Sequence, residues 1–364
     1  MWPYWLFFYL FLLNALIHVR PSALPINYRY WSIEWVSIFI LLVLIVGFRY
    51  QVGADWSVYN SNLANTDANT LDFIYLRDPG FEFLNWLAAR FDQELVLVNF
   101  ISAIFFSYGL AIFCRNQALP SLSMLVAFPY LVSVVAMGYT RQSIVLGFFM
   151  LGLVALENGN VWRYIKLILF SAFFHASALL LLPLPLLVVV ERNLFIKMLV
   201  LALFIITLFF FMGGQEQIWF RYIKSTYFNS QLVIKSPGAS IRFAMVLLPA
   251  LILLLNIKRL NINRISNSIY VIRLWKAVAL STFVMIIPLI TIQSTTVVDR
   301  ILLYFLPLQL FVYGNIPVAY LSNKYIYIII YLMIVLYCFM VFIVWFYYSN
   351  NSSWWIPYSS YLWP

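Results

Sequence analysis

The chain has 364 residues, 65% of them hydrophobic and only 9% charged, with a net charge of +10. A typical soluble domain carries about 25% charged residues, so a soluble architecture is excluded. The excess of Lys and Arg does not point to nucleic acid, because in an apolar chain it marks cytoplasmic loops and anionic headgroups.

Apolar stretches recur from end to end. About 20 such residues cross a hydrocarbon core of roughly 30 Å as a helix. Only a helix satisfies its backbone polar groups within its own segment, and no alternating pattern suggests a barrel. Spans are predicted near 2–18, 33–48, 94–113, 119–136, 141–156, 164–190, 194–212, 241–257, 274–292, 300–314 and 325–347. The expectation is an all-α polytopic bundle of about 11 spans in a single membrane domain over residues 1–364. The first stretch has no basic leader and no small-residue cleavage site, so it reads as a retained span. No repeat at a fixed period is visible, which weighs against an inverted-repeat transporter.

Loop charges set the expected orientation. Lys258, Arg259, Arg264, Arg273 and Lys276 form the strongest basic cluster and are placed in the cytoplasm. The acidic segment after the second span, with Asp55, Asp67, Asp72, Asp78, Glu82, Asp92 and Glu94 among its charges, is placed outside. Loop 157–166 and segment 191–197 then both fall inside. The stretch 164–190 must start and end on one side, and it carries Pro183 and Pro185, which break helices. A broken or hairpin element is predicted there, turning near His175 to Pro183. Long outer loops are expected near 49–93, with a short helix at 80–91, and near 213–240, with Arg221, Lys224 and Lys235. The tail 348–364, rich in Trp and Tyr, reads as an aromatic belt at the outer interface.

Charges close to a membrane are costly and therefore informative. Arg49 and Asp55 flank a turn allowed by Gly53, with Tyr59 just beyond; they read as an anion-binding arginine beside a base, or as an interfacial ion pair. Arg141 and Gln142 open the fifth span, where a helix N-terminus favours phosphate, unless the arginine merely snorkels. His175 sits at the predicted break; a packing role is the plain alternative. Arg300 and Tyr304 share one helix face, and Asp299 either joins them or neutralises Arg300. His18 reads as structural. Three arginines at outer helix ends suit a pyrophosphate, because arginine donates in a planar fork and keeps its proton. Cys114 and Cys338 have no metal-site spacing, so no metal and no cofactor are expected. No P-loop, GxSxG elbow or HExxH helix is present.

In their order these clusters resemble the EpsG family of Wzy-type polysaccharide polymerases. The matching residues are Arg49, Val52-Gly53-Ala54-Asp55, Tyr59, Arg141-Gln142, His175-Ala176-Ser177-Ala178 and Arg300 with Tyr304-Phe305. The resemblance runs from about residue 40 to 310. It implies a fold similar to GT-C-like membrane glycosyltransferases, a bacterial inner membrane location, and transfer of an undecaprenyl-pyrophosphate-linked chain onto a new lipid-linked repeat unit at the outer face. It implies Asp55 or His175 as base, and Arg49, Arg141, Gln142, Tyr59, Arg300 and Tyr304 as pyrophosphate and substrate contacts. Expected partners are lipid-linked repeat units, membrane lipids, a chain-length regulator and a flippase, with no nucleic acid. A metal-independent, inverting transfer is expected. The alternatives are a flippase or transporter for lipid-linked oligosaccharide, an O-antigen ligase and a sugar acyltransferase.

Overall fold

In a computed structural model, the described residues are 1–21, 31–69, 78–188, 198, 236, 238–262, 269–291 and 295–362. Apart from Met198, the predicted span 194–212 lies outside them, as does nearly all of the predicted loop 213–240 with Arg221, Lys224 and Lys235.

The helices follow the apolar stretches. They are α1 (Trp2–Ile17), α2 (Ile33–Gly47), α3 (Trp56–Ala64), α4 (Pro79–Arg90), α5 (Leu95–Arg115), α6 (Pro120–Ala127), α7 (Thr140–Glu157) and α8 (Val161–Ala172). After these come α9 (Leu184–Val188), α10 (Ala239–Ile262), α11 (Ile269–Val284), α12 (Ile286–Thr291), α13 (Thr295–Leu302), α14 (Leu306–Asn315) and α15 (Lys324–Ile343). Six helical stretches among the described residues are long and apolar enough to cross a membrane: Leu95–Arg115, Thr140–Glu157, Ala239–Leu260, Tyr270–Thr291, Val298–Tyr320 and Lys324–Tyr348. Shorter apolar helices cover Trp2–Ile17, Ile33–Gly47, Pro120–Ala136 and Ala176–Val188. The chain is an all-α membrane bundle.

Local chemistry explains the boundaries. Ser32 caps α2 by accepting the Trp35 amide at 3.4 Å, as N-cap serines do. Pro79 opens α4 and Pro120 opens α6, positions where the missing N–H costs nothing. Past Ala127 the α6 helix widens into π-type turns over Phe128–Ala136, behind Pro129. The stretch predicted to break does so. Helix α8 ends at Ala172, a turn follows, and a short 3₁₀ helix (Ala176–Leu181) precedes α9.

Two compact units form. The first comprises Met1–Val154, Trp162–Ala178 and Tyr313–Pro364; the second comprises Ala155–Val161 and Leu179–Val312. In the first unit α7 is central, with 89% of its span buried. It crosses α5 at Gly109 and Gly147, where a Cβ on either would collide with the opposing backbone, so two small residues allow close packing. On α15, by contrast, Tyr325, Ile329, Leu332, Met333, Leu336 and Met340 are exposed. That apolar stripe suits lipid rather than water.

Part of the aromatic tail packs inward, while Tyr348 and Trp354 stay exposed. Trp355, Tyr358 and Ser360 are buried in the first unit. A two-residue strand, β1 (Arg49–Tyr50), pairs antiparallel with β2 (Ser359–Ser360). The physical reason is that buried tyrosine hydroxyls seek partners: Tyr358 donates to the Ile45 carbonyl at 2.7 Å and Tyr4 to that of Trp355 at 2.9 Å.

In the second unit α10 packs on α11 and α13. Trp275 stacks on Phe311 with ring centroids 4.3 Å apart and donates to Glu157 at 2.7 Å. Asp299 on α13 pairs with Arg242 on α10 and accepts from the Ser236 hydroxyl at 2.9 Å.

Candidate active site

Helix α4 is a short amphipathic helix, and its apolar face decides where its first residues go. Phe81, Leu84 and Ala88 pack with Val98 of α5, Ile144 and Phe148 of α7 and Phe174 behind α8. This cluster draws four chain segments together: α4, α5, α7 and the turn after α8. Gly80 lies against the Phe173 turn, donating its amide to the Phe173 carbonyl at 2.7 Å. A Cβ there would come within 3.1 Å of that same oxygen, so only glycine allows the approach without displacement.

At this point sits Asp78, whose side chain is fully buried. It occupies the N-cap position of α4 but makes no side-chain cap bond to its own helix. Its carboxylate is committed elsewhere. Oδ2 accepts from Arg141 at 3.0 Å and faces His175 Nδ1 at 3.3 Å; Oδ1 accepts the Ala176 amide at 3.1 Å. The carboxylate thus caps the 3₁₀ helix of another segment, where an anion is favoured. Burial opposes its charged form, but the His175 hydrogen bond and charge, Arg141 and the Ala176 amide together outweigh burial. Its pKa lies below the ordinary carboxylate range.

The two basic partners remain partly open: the Arg141 side chain is 15% exposed and that of His175 22%. Arg141 also approaches Glu82 at 4.0 Å and lies over the rings of Phe81 and Tyr59, at 4.7 and 5.5 Å from their centroids. With Asp78 ionised, His175 Nδ1 carries the proton toward it. In the neutral ring Nε2 is then the acceptor nitrogen, as in any carboxylate-oriented histidine.

Of the residues singled out in the sequence, the fold therefore brings Arg141, His175 and Tyr59 together. Gln142 is buried beside Arg141. Asp55 is half-buried at the N-cap position of α3, where its carbonyl accepts the Tyr59 amide at 3.0 Å. The carboxylate held between Arg141 and His175 is Asp78, which sequence reasoning passed over as one loop acid among seven. A signal was available in Asp78-Pro79-Gly80: an acid before a helix-opening proline, then a glycine permitting close approach.

Arg49 is buried, with 1% of its surface exposed. It donates to the Val46 carbonyl and, at 2.7 Å, to the Thr140 hydroxyl that precedes Arg141. Burial lowers its pKa to about 10, against the neighbouring Tyr59, Tyr358, Tyr4 and Tyr361, which raise it; it stays cationic at neutral pH. Arg300 is half-buried and Tyr304 buried, both in the second unit next to Asp299. The hydrogen-bonded cation of Asp299 is Arg242, so neutralising Arg300 is not its sole task.

No curated protein and no solved structure matches the chain. A family match does exist, and it runs over residues 32–360, taking in α2 through the buried tail as well as Arg141, His175 and Asp78. With nearly the whole length matched, the chain belongs to the EpsG family, whose members are similar to Wzy-type polymerases.

Proposed function

We propose that this protein polymerises a bacterial surface polysaccharide at the outer face of the inner membrane. In this reading it moves a growing chain from undecaprenyl pyrophosphate onto the lipid-linked repeat unit that follows. The observation that carries the proposal is the convergence of Arg141 and His175 on one buried carboxylate, Asp78, in a membrane bundle of this family.

The acceptor hydroxyl oxygen attacks the anomeric carbon of the donor chain. The bond from that carbon to the pyrophosphate oxygen breaks, and its electron pair leaves with the pyrophosphate. The hydroxyl proton passes to Nε2 of His175, whose ring Asp78 orients through Nδ1; a positioned base of this kind contributes about 10²–10⁴-fold. The transition state is oxocarbenium-like. Charge developing on the leaving pyrophosphate meets Arg141, a fixed donor in a largely water-excluded setting. Asp78 supports the assignment in a second way. It compensates the Arg141 guanidinium before substrate arrives and the imidazolium that forms on His175 during transfer, so neither is an isolated buried charge. Tyr59 and Phe81, packed under the guanidinium, hold it against the bundle. A direct attack with a departing pyrophosphate inverts the anomeric centre.

The test is the length distribution of surface polysaccharide in a deletion strain complemented with wild type, Arg141→Ala or His175→Ala. Single repeats in the deletion strain and both variants, with a full ladder restored by wild type, is the expected result. Loss of all surface-linked sugar in the deletion strain, single repeats included, would replace polymerisation by flipping or ligation.

A further inference from the structure

The C-terminal segment is absent from the site just described, yet it is among the most tightly bonded parts of the first unit. The strand β2 pairs with β1 in the register Arg49 to Ser360 and Tyr50 to Ser359. The Gly53 amide donates to the Trp354 carbonyl at 2.8 Å, and the Tyr361 amide to that of Phe48 at 2.8 Å. Ser360 adds a hydroxyl bond to the same Phe48 carbonyl at 2.9 Å. The Trp355 ring lies over Gly138, where any Cβ would collide with it, and meets Trp345 edge-on at 5.4 Å. A two-residue strand pair is marginal alone; here buried aromatics on both sides secure it.

What this segment encloses is Arg49. Among the described residues Arg49 has no carboxylate within 4.0 Å, and its Nε has no hydrogen-bond partner. A buried cation without a counter-ion is costly. It is retained with one side-chain partner, the Thr140 hydroxyl, on the first residue of the helix that carries Arg141. A guanidinium this enclosed does not reach a lipid headgroup, but it does fix the entry of α7.

We propose that residues Trp354–Tyr361 form a clasp that positions Arg49 and, through Thr140, Arg141, so that the tail acts on polymerisation without touching substrate. The proposal rests on the polymerase reading above and adds a positioning role to Arg49, Thr140 and Tyr358.

The test has two readouts. The first is structural: Val52→Cys, buried at 1% in the full chain, is offered to a membrane-impermeant maleimide, with Cys114 and Cys338 both buried and slow to react. It should label only when the chain is ended at Ser353. Equal labelling in both chains would overturn the clasp. The second readout is the rate of chain extension on a producing strain's own lipid-linked repeat units, in its isolated membranes. Here Tyr358→Phe and Thr140→Val each remove one hydroxyl and should each slow extension roughly two- to tenfold, the worth of one hydrogen bond. The double variant should be no slower than the slower single, because both act along one path, while Thr140→Ser retains the wild-type rate. Multiplying losses, or an undiminished rate in both singles, would overturn the positioning role. A wild-type protein that extends no chains would instead sink the polymerase reading, and the labelling result would stand apart from it.

Discussion

Two buried carboxylate–arginine pairs stand out among the described residues, and they differ in one respect that matters. In the second unit Asp299 and Arg242 are sealed, with side chains 4% and 5% exposed, and Asp299 also accepts from the Ser236 hydroxyl. In the first unit Asp78 is as deeply buried, but its partners Arg141 and His175 keep 15% and 22% of their surface open. A sealed pair spends its charges inside the protein, where the partner offsets the desolvation cost and little surface is left for a ligand. A half-open triad offers a ligand the faces its own carboxylate leaves unused. The same residue types therefore read as architecture in one place and, in the function proposed above, as chemistry in the other.

His175→Ala should slow chain extension by about 10²–10⁴-fold, far more than the lost bond to Asp78 lowers the purified protein's melting temperature; an activity loss no larger than the melting shift accounts for would make His175 a packing residue. Arg242→Ala should do the reverse. It strands Asp299 and should destabilise by about 3–5 kcal/mol, read as an unfolding midpoint in detergent. Replacing both partners, as Arg242→Met with Asp299→Leu, should recover most of that stability and leave chain length intact. If the doubly substituted protein is stable but no longer polymerises, the sealed pair is not merely architectural.

Gly80→Ala tests how the triad is assembled. The added methyl would press on the Phe173 backbone at 3.1–3.2 Å, an overpacking cost of about 1–3 kcal/mol, and should shorten the ladder by moving Asp78 relative to His175. The smallest effect concerns pH. Because the folded pKa of Asp78 is depressed, its contribution is present above the unfolded value of about 3.9 and is lost only as pH falls through the lower folded value. Wild-type stability should therefore hold through the mildly acidic range and decline below it. Asp78→Asn should start lower and show a weaker acid decline, measured as unfolding midpoint against pH.

Much of this protein is legible in its residues, for reasons that are physical. A bilayer admits only long, self-satisfied apolar segments, so each described helix longer than a few turns lies where an apolar stretch was read. The interruption after Ala172 is legible from the basic loops that flank the stretch together with Pro183 and Pro185 within it. Arg141, His175 and Tyr59 stand out because polar side chains near lipid are costly to keep. Asp78 does not, because seven acids in one polar segment carry the same signature until packing buries one of them. The inward packing of Trp355 and Tyr358 is not legible for a related reason: Trp and Tyr serve equally at an interface and in a core, and composition does not distinguish the two.

The sequence by itself determined the class of molecule, its long apolar helical segments and the charged residue types that stand beside them. Only the tertiary structure decided which carboxylate stands between Arg141 and His175, and that the tail closes over Arg49. Hydrophobic length is a local property of a segment, whereas a triad drawn from positions 78, 141 and 175 depends on how α4 packs against α5, α7 and the turn after α8.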